Sequence, residues 1–256
     1  MSAHRSINLL AEQENNNLRR TLVLLGDTYN LVTDAEALYD TLPQLCRVPN
    51  DYESNDKSFA VGVYGNLVFL CRRQLTVGTL TLLRGHRSDH KSDLRKAIEI
   101  CAFAAKMDKH PDRAKIWLSA GTGEDAFEKF RKKFTNLFPT DDALLCELGK
   151  HYDVCAKASH PSVYGIALHF ISQPRQRGDA GADINLFDSM DAPALVAEFM
   201  TSTSVHATIL RVFERQLKPY AVDRLASWST RRMEFEEKCL AAHKQWLPFV
   251  TGGASA

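Results

Sequence analysis

Ser88 to Leu118 reads SDHKSDLRKAIEICAFAAKMDKHPDRAKIWL, and this stretch decides the fold class. Leu94, Ile98, Cys101 and Ala105 fall at i, i+4, i+7 and i+11, which places them on one face of an α-helix. Asp89 or Ser92 stands where a side-chain oxygen can cap the first free amides of that helix. Asp108-Lys-His-Pro ends it, and Pro111 suits the first position of a second helix carrying Ala114, Trp117 and Leu118. Arg95 and Glu99 lie one turn apart, so each can serve as the other's partner wherever that face is partly buried.

A companion stretch, YDVCAKASHPSVYG (Tyr152 to Gly165), ends one helix and starts another at His160-Pro161, because proline cannot continue a helix. Helical spacing extends outward in both directions. Ser58 to Leu83 is apolar on most sides, as a central buried helix is, and Gly62, Gly65 and Gly78 read as close-packing points between helices. Two more helices precede it, over 5–25 and 27–42, and a loop runs through Pro43 and Pro49 to Lys57. After it, Glu124 to Phe138 turns Phe127, Phe130, Phe134 and Phe138 inward. Its Lys129, Arg131, Lys132 and Lys133 form a solvated face. Thr140 suits the N-cap of a helix through Leu144, Leu148 and Val154. A short helix through Val163 and Ile166 precedes a loop or small hairpin around QPRQRGDAGAD. Asp191-Ala-Pro opens a long helix that Lys218-Pro219 stops, and the last helix runs to about Trp246. Leu225, Trp228, Met233 and Leu240 are its inward candidates.

The expectation is an all-α helical bundle with an additional C-terminal helical pair and at most one small hairpin. Its parts are an N-terminal hairpin over 1–56, a core over 57–170, a loop or hairpin over 171–190 and a helical pair over 191–256.

Hydrophobic residues at 45% and charged residues at 25% describe an ordinary globular chain of 256 residues. A net charge of +1 argues against a partner recognised by bulk charge, such as duplex DNA or an anionic membrane. No apolar run approaches the roughly 20 residues of a membrane span. The start of the chain turns acidic and amide-rich where a signal peptide would turn apolar, so a cytoplasmic location is expected. The six cysteines are scattered without a CxxC pair, which reads as reduced core thiols rather than a zinc or redox site.

No motif specifies chemistry. Gly62-x-x-Gly65 lacks the strand and the lysine of a phosphate loop. His86-x-x-x-His90 has metal-ligand spacing but no glutamate between its histidines, and reads as a solvated junction. No cofactor and no metal are implied. Arg84 and His90 match R-x(4–6)-H, the ribonuclease motif of HEPN domains, at the spacing that chance supplies in a chain rich in both residues.

Arg95-x-x-x-Glu99, then His110-Pro-Asp-Arg-Ala-x-x-Trp117, then Tyr152 to Ser162 resembles a group of uncharacterised bacterial helical proteins related to HEPN domains. The resemblance covers about residues 60 to 168. Ala156 stands where that group often has serine. It implies a HEPN-like, non-catalytic or cryptic module in a bacterial stress, mobile-element or defence setting. The alternatives are a metal-independent ribonuclease acting through Arg84 and His90, with RNA as its partner, and a scaffold that forms a homodimer through helical faces. The one site expected is a polar cluster of Arg95, Glu99, Tyr152, Ser159 and His160 inside the bundle core.

Overall fold

The structure is a computed structural model that describes residues 3–45, 55–120, 124–159, 191–221 and 224–252. Its helices are α1 (Ala3–Leu25), α2 (Asn30–Thr41), α3 (Asp56–Leu83), α4 (Arg87–Lys109), α5 (Arg113–Ser119), α6 (Glu124–Lys133), α7 (Ala143–Ser159), α8 (Ala192–Leu217) and α9 (Leu225–Val250). No strand occurs among the described residues, so the fold is an all-α bundle. The His160-Pro161 junction, the helix expected after it and the loop or hairpin over 171–190 lie outside the described residues.

Burial explains the arrangement. α3 buries Val61, Val63, Tyr64, Leu67, Val68, Cys71, Leu75 and Leu82, residues that point to several sides, and packs along the whole of α4. α8 is buried nearly all round, from Leu195 to Leu217, and touches α2, α3, α4, α7 and α9. These two helices form the interior; α2, α4, α7 and α9 pack on one or both, while α6 rests on α5 and on Phe103 of α4. α2 contributes Leu31, Ala35, Leu38 and Tyr39 to the same continuous core, which therefore crosses residues 56 and 191. At the edge of that core Trp228 donates its indole N–H to the Leu38 carbonyl at 3.1 Å.

Several boundaries differ from the sequence reading. α4 starts at Arg87, ahead of Asp89 and Ser92, and the His90 amide closes onto the His86 carbonyl at 3.0 Å. The His86 side chain makes no capping bond there, and Arg87 and Lys91 in the first turns bond to Glu198. α6 stops at Lys133, because Asn136 adopts a left-handed φ of 48° that no helix can contain. Phe134 and Phe138 still turn inward, Phe134 onto Phe103 and Phe138 onto Tyr152. Asp142, not Thr140, caps α7, accepting from the Leu145 amide at 3.3 Å. α8 opens as expected, with Asp191 accepting from the Ala194 amide at 2.8 Å.

On α9 the inward residues are Trp228, Phe235, Cys239 and Ala242. Met233 and Leu240, expected inward, face solvent. Of the three glycines, Gly78 is a close-packing point, since a Cβ there would lie 3.2 Å from the Asp93 Cβ. Gly62 meets nothing within 4 Å.

Candidate functional site

A buried polar cluster joins α4 to α8. Arg87, His90 and Lys91 occupy the first turn of α4, where helical spacing puts Arg87 and Lys91 on one line. Glu198 reaches them from α8. Arg87 Nε donates to Glu198 Oε1 at 2.9 Å, and the Lys91 ammonium donates to Oε2. The Glu198 side chain is 8% exposed and that of Lys91 is 4% exposed. Burial raises the carboxyl's pKa, but Lys91 and then Arg87 outweigh it and hold Glu198 below the usual carboxylate range. The group is thus a buried ion triad with the carboxylate ionised.

His90 lies beside it, 1% exposed, with Nδ1 2.9 Å from the Gly78 carbonyl oxygen. That oxygen can only accept, so Nδ1 carries the proton and Nε2 is left without a hydrogen-bond partner. Burial and the Lys91 charge push the His90 pKa down to about 4. His206 on α8 is buried as well, and neither ring nitrogen has a partner. Burial and then His90 push it down to about 3. Its ring lies 5.8 Å from that of Tyr39, whose hydroxyl donates to the His206 carbonyl at 3.3 Å. Both imidazoles are neutral at pH 7.

The sequence-derived candidates fall into two places. Arg84 caps the end of α3, its carbonyl accepting from Asn17 Nδ2 at 3.0 Å, and its Nε is buried without a hydrogen-bond partner. His90 is already inside α4 and turned toward α3. His86 faces the other way, with Nε2 2.9 Å from Glu14 Oε1, so the two histidines do not converge on a metal. No group of His, Cys, Asp and Glu side chains among the described residues has metal-site geometry.

Arg95, Glu99 and Tyr152 do come together. The Tyr152 hydroxyl donates to Glu99 Oε1 at 2.9 Å, Arg95 Nε lies 3.4 Å from the same oxygen, and the guanidinium sits 5.6 Å from the Tyr152 ring centre. The Arg95 and Glu99 side chains are 29% and 25% exposed, so this trio lines the α4–α7 seam at its edge rather than in the apolar core. The Ser159 side chain and His160 lie outside the described residues.

Sequence reading missed Glu198 and His206, because both sit in an apolar helix among Phe199, Val205 and Ile209 with nothing local to mark them. Asp142 and Arg215 were missed too, a bidentate pair at 3.0 and 2.9 Å that ties the start of α7 to α8.

Chemically, the α4–α8 cluster is closed. Its carboxylate is already neutralised by two cations, and the neighbouring imidazoles are out of solvent. Comparison of the chain with family models, with curated proteins and with solved structures finds no match.

Proposed function

We propose that this chain is a non-catalytic helical module, HEPN-like in arrangement, that works as a pair of copies joined through α9. The observation that carries this reading is the exposed stripe Met233, Leu240, Leu247, 48%, 58% and 60% exposed. Seven residues is close to two helical turns, so the three side chains lie within about 20° of one line. They are large and apolar, yet no described residue covers them.

The occupant that fits is a second copy running antiparallel. A two-fold axis at Leu240 brings Met233 opposite the partner's Leu247, and it brings Glu237 to within one residue of the partner's Lys244, twice. Among the described residues neither Glu237 nor Lys244 has an ion pair. Flanking pairs of this kind set partner and direction in coiled coils. The HEPN-like arrangement is supported by the Arg95–Glu99–Tyr152 contact between α4 and α7. A bacterial setting in stress, mobile-element or defence biology follows from the sequence resemblance, and a cytoplasmic one from the polar start of the chain and its scattered cysteines. The burial of His90, the acid or base that a ribonuclease reading requires, speaks for the non-catalytic module.

Sedimentation velocity at micromolar concentration tests the pairing. A dimer is expected for the wild type, with monomer for Leu240→Glu and for Glu237→Lys. The charge-swapped Glu237→Lys/Lys244→Glu double variant should recover the dimer. A wild type that stays monomeric throughout sinks the proposal.

A further inference from the structure

Three of the methionines lie among the described residues, and their surroundings differ. Met107 and Met200 are buried in the core, whereas Met233 is 48% exposed. It opens the α9 stripe, about two helical turns before Leu240. A thioether held in water meets peroxides freely, and one packed in a core is shielded from them.

Thiols are the usual first targets of an oxidant, and they react as thiolates. Cys71, Cys101, Cys155 and Cys239 are buried. Burial raises the pKa of each, to about 11 for Cys155 and about 12 for Cys239, so all four stay protonated at neutral pH. Cys146 is half-buried on α7, a helix that does not carry the stripe. Within the apolar stripe, then, the oxidisable group that faces solvent is the Met233 sulfur.

We infer that Met233 is an oxidation-sensitive site, and that its conversion to methionine sulfoxide by a peroxide separates the two copies. The inference rests on the pairing through α9 proposed above. A sulfur lone pair attacks one oxygen of hydrogen peroxide, the O–O bond breaks and an S–O bond forms. The second oxygen leaves as water, so the thioether is oxidised by two electrons and the peroxide reduced by two.

Position makes the sulfur both reachable and consequential. Helical rise puts Met233 about 10 Å along α9 from the two-fold axis at Leu240, at the end of the seam rather than its centre. The symmetry repeats the contact, so each end of the seam sets a Met233 against the partner's Leu247. A sulfoxide oxygen is a polar acceptor, and a leucine side chain has no donor to give it. The oxygen keeps its water, and the apolar contact is lost at both ends.

Sedimentation velocity at micromolar concentration, before and after hydrogen peroxide, provides the test, with peptide mass spectrometry to locate the added oxygen. Oxygen is expected on Met233, with the dimer weakened about tenfold or more. Met233→Leu should stay dimeric through the same treatment, and Met233→Gln should be weakened with no oxidant present. Methionine sulfoxide reductase should restore the oxidised wild type, whereas dithiothreitol, which reverses disulfides and sulfenic acids, should not. A wild type that is monomeric before peroxide overturns the pairing and this inference with it. A Met233 that takes up no oxygen, a dimer that survives its full oxidation, or a Met233→Leu dimer that peroxide also breaks overturns this inference and leaves the pairing standing.

Discussion

Glu198 on α8 accepts from Arg87 Nε on α4 at 2.9 Å and is shared with Lys91, so one carboxylate ties the two helices together inside the bundle. Two cations around one buried anion leave no partner to spare. Removing the anion strands both, Lys91 most severely because only 4% of its side chain is exposed.

Glu198→Ala is therefore expected to cost about 3 to 5 kcal/mol in a urea melt, the range for breaking a buried pair by removing one partner. Lys91→Met/Glu198→Leu should cost less than the sum of its single changes, because it removes the carboxylate and its most buried cation together and leaves only the more exposed Arg87. Additive single effects below about 1 kcal/mol would show that the triad is solvated.

Acid should unfold the protein earlier than its carboxylates alone predict. His90 and His206 have native pKa values near 4 and 3, whereas the unfolded chain titrates near 6.5. As pH falls through 6.5 the unfolded state takes up protons that the native state refuses. Stability is thus full above that value and drains toward pH 4, at up to roughly 2.7 kcal/mol per pH unit for the two sites together. Glu198, with its pKa held low, acts in the same direction below its usual range. Urea midpoints from pH 7.5 to 4.5 measure the slope, and His206→Phe should flatten it.

Two glycines should respond oppositely to alanine. At Gly78 the new methyl would sit 3.2 Å from the Asp93 Cβ and 3.5 Å from the His90 carbonyl oxygen, pressing α3 away from α4. The gain of about 1 kcal/mol in helix propensity is outweighed by overpacking that costs roughly 1 to 3. Gly62→Ala meets no atom within 4 Å and should stabilise by up to about 1 kcal/mol. Thermal melts of the two variants should move in opposite directions.

The Arg95, Glu99 and Tyr152 contact should matter little for stability. A trio at the edge of the seam remains screened by water, so Glu99→Ala and Tyr152→Phe should each cost at most about 1 kcal/mol. A loss of 3 kcal/mol or more from Glu99→Ala in a denaturant melt would place the trio in the core after all.

What the sequence determined by itself is local. The i, i+4, i+7 spacing of Leu94, Ile98 and Cys101, the Asp191 cap and the Lys218-Pro219 stop follow from helix geometry and from the backbone chemistry of a few neighbouring residues. They are legible wherever that chemistry is undisturbed. Asn136 ended α6 early through a left-handed residue that spacing does not reveal. Which face of α9 turns inward depended on where α2 and α8 lie, and so Trp228 was read correctly and Leu240 was not. The candidate site was least legible of all. Glu198 and Lys91 are 107 positions apart, and a buried charge announces itself only when the partner that neutralises it is in place. Helix content is set by interactions within a few residues; the pairing of charges across the bundle is set by packing, which only the tertiary structure decided.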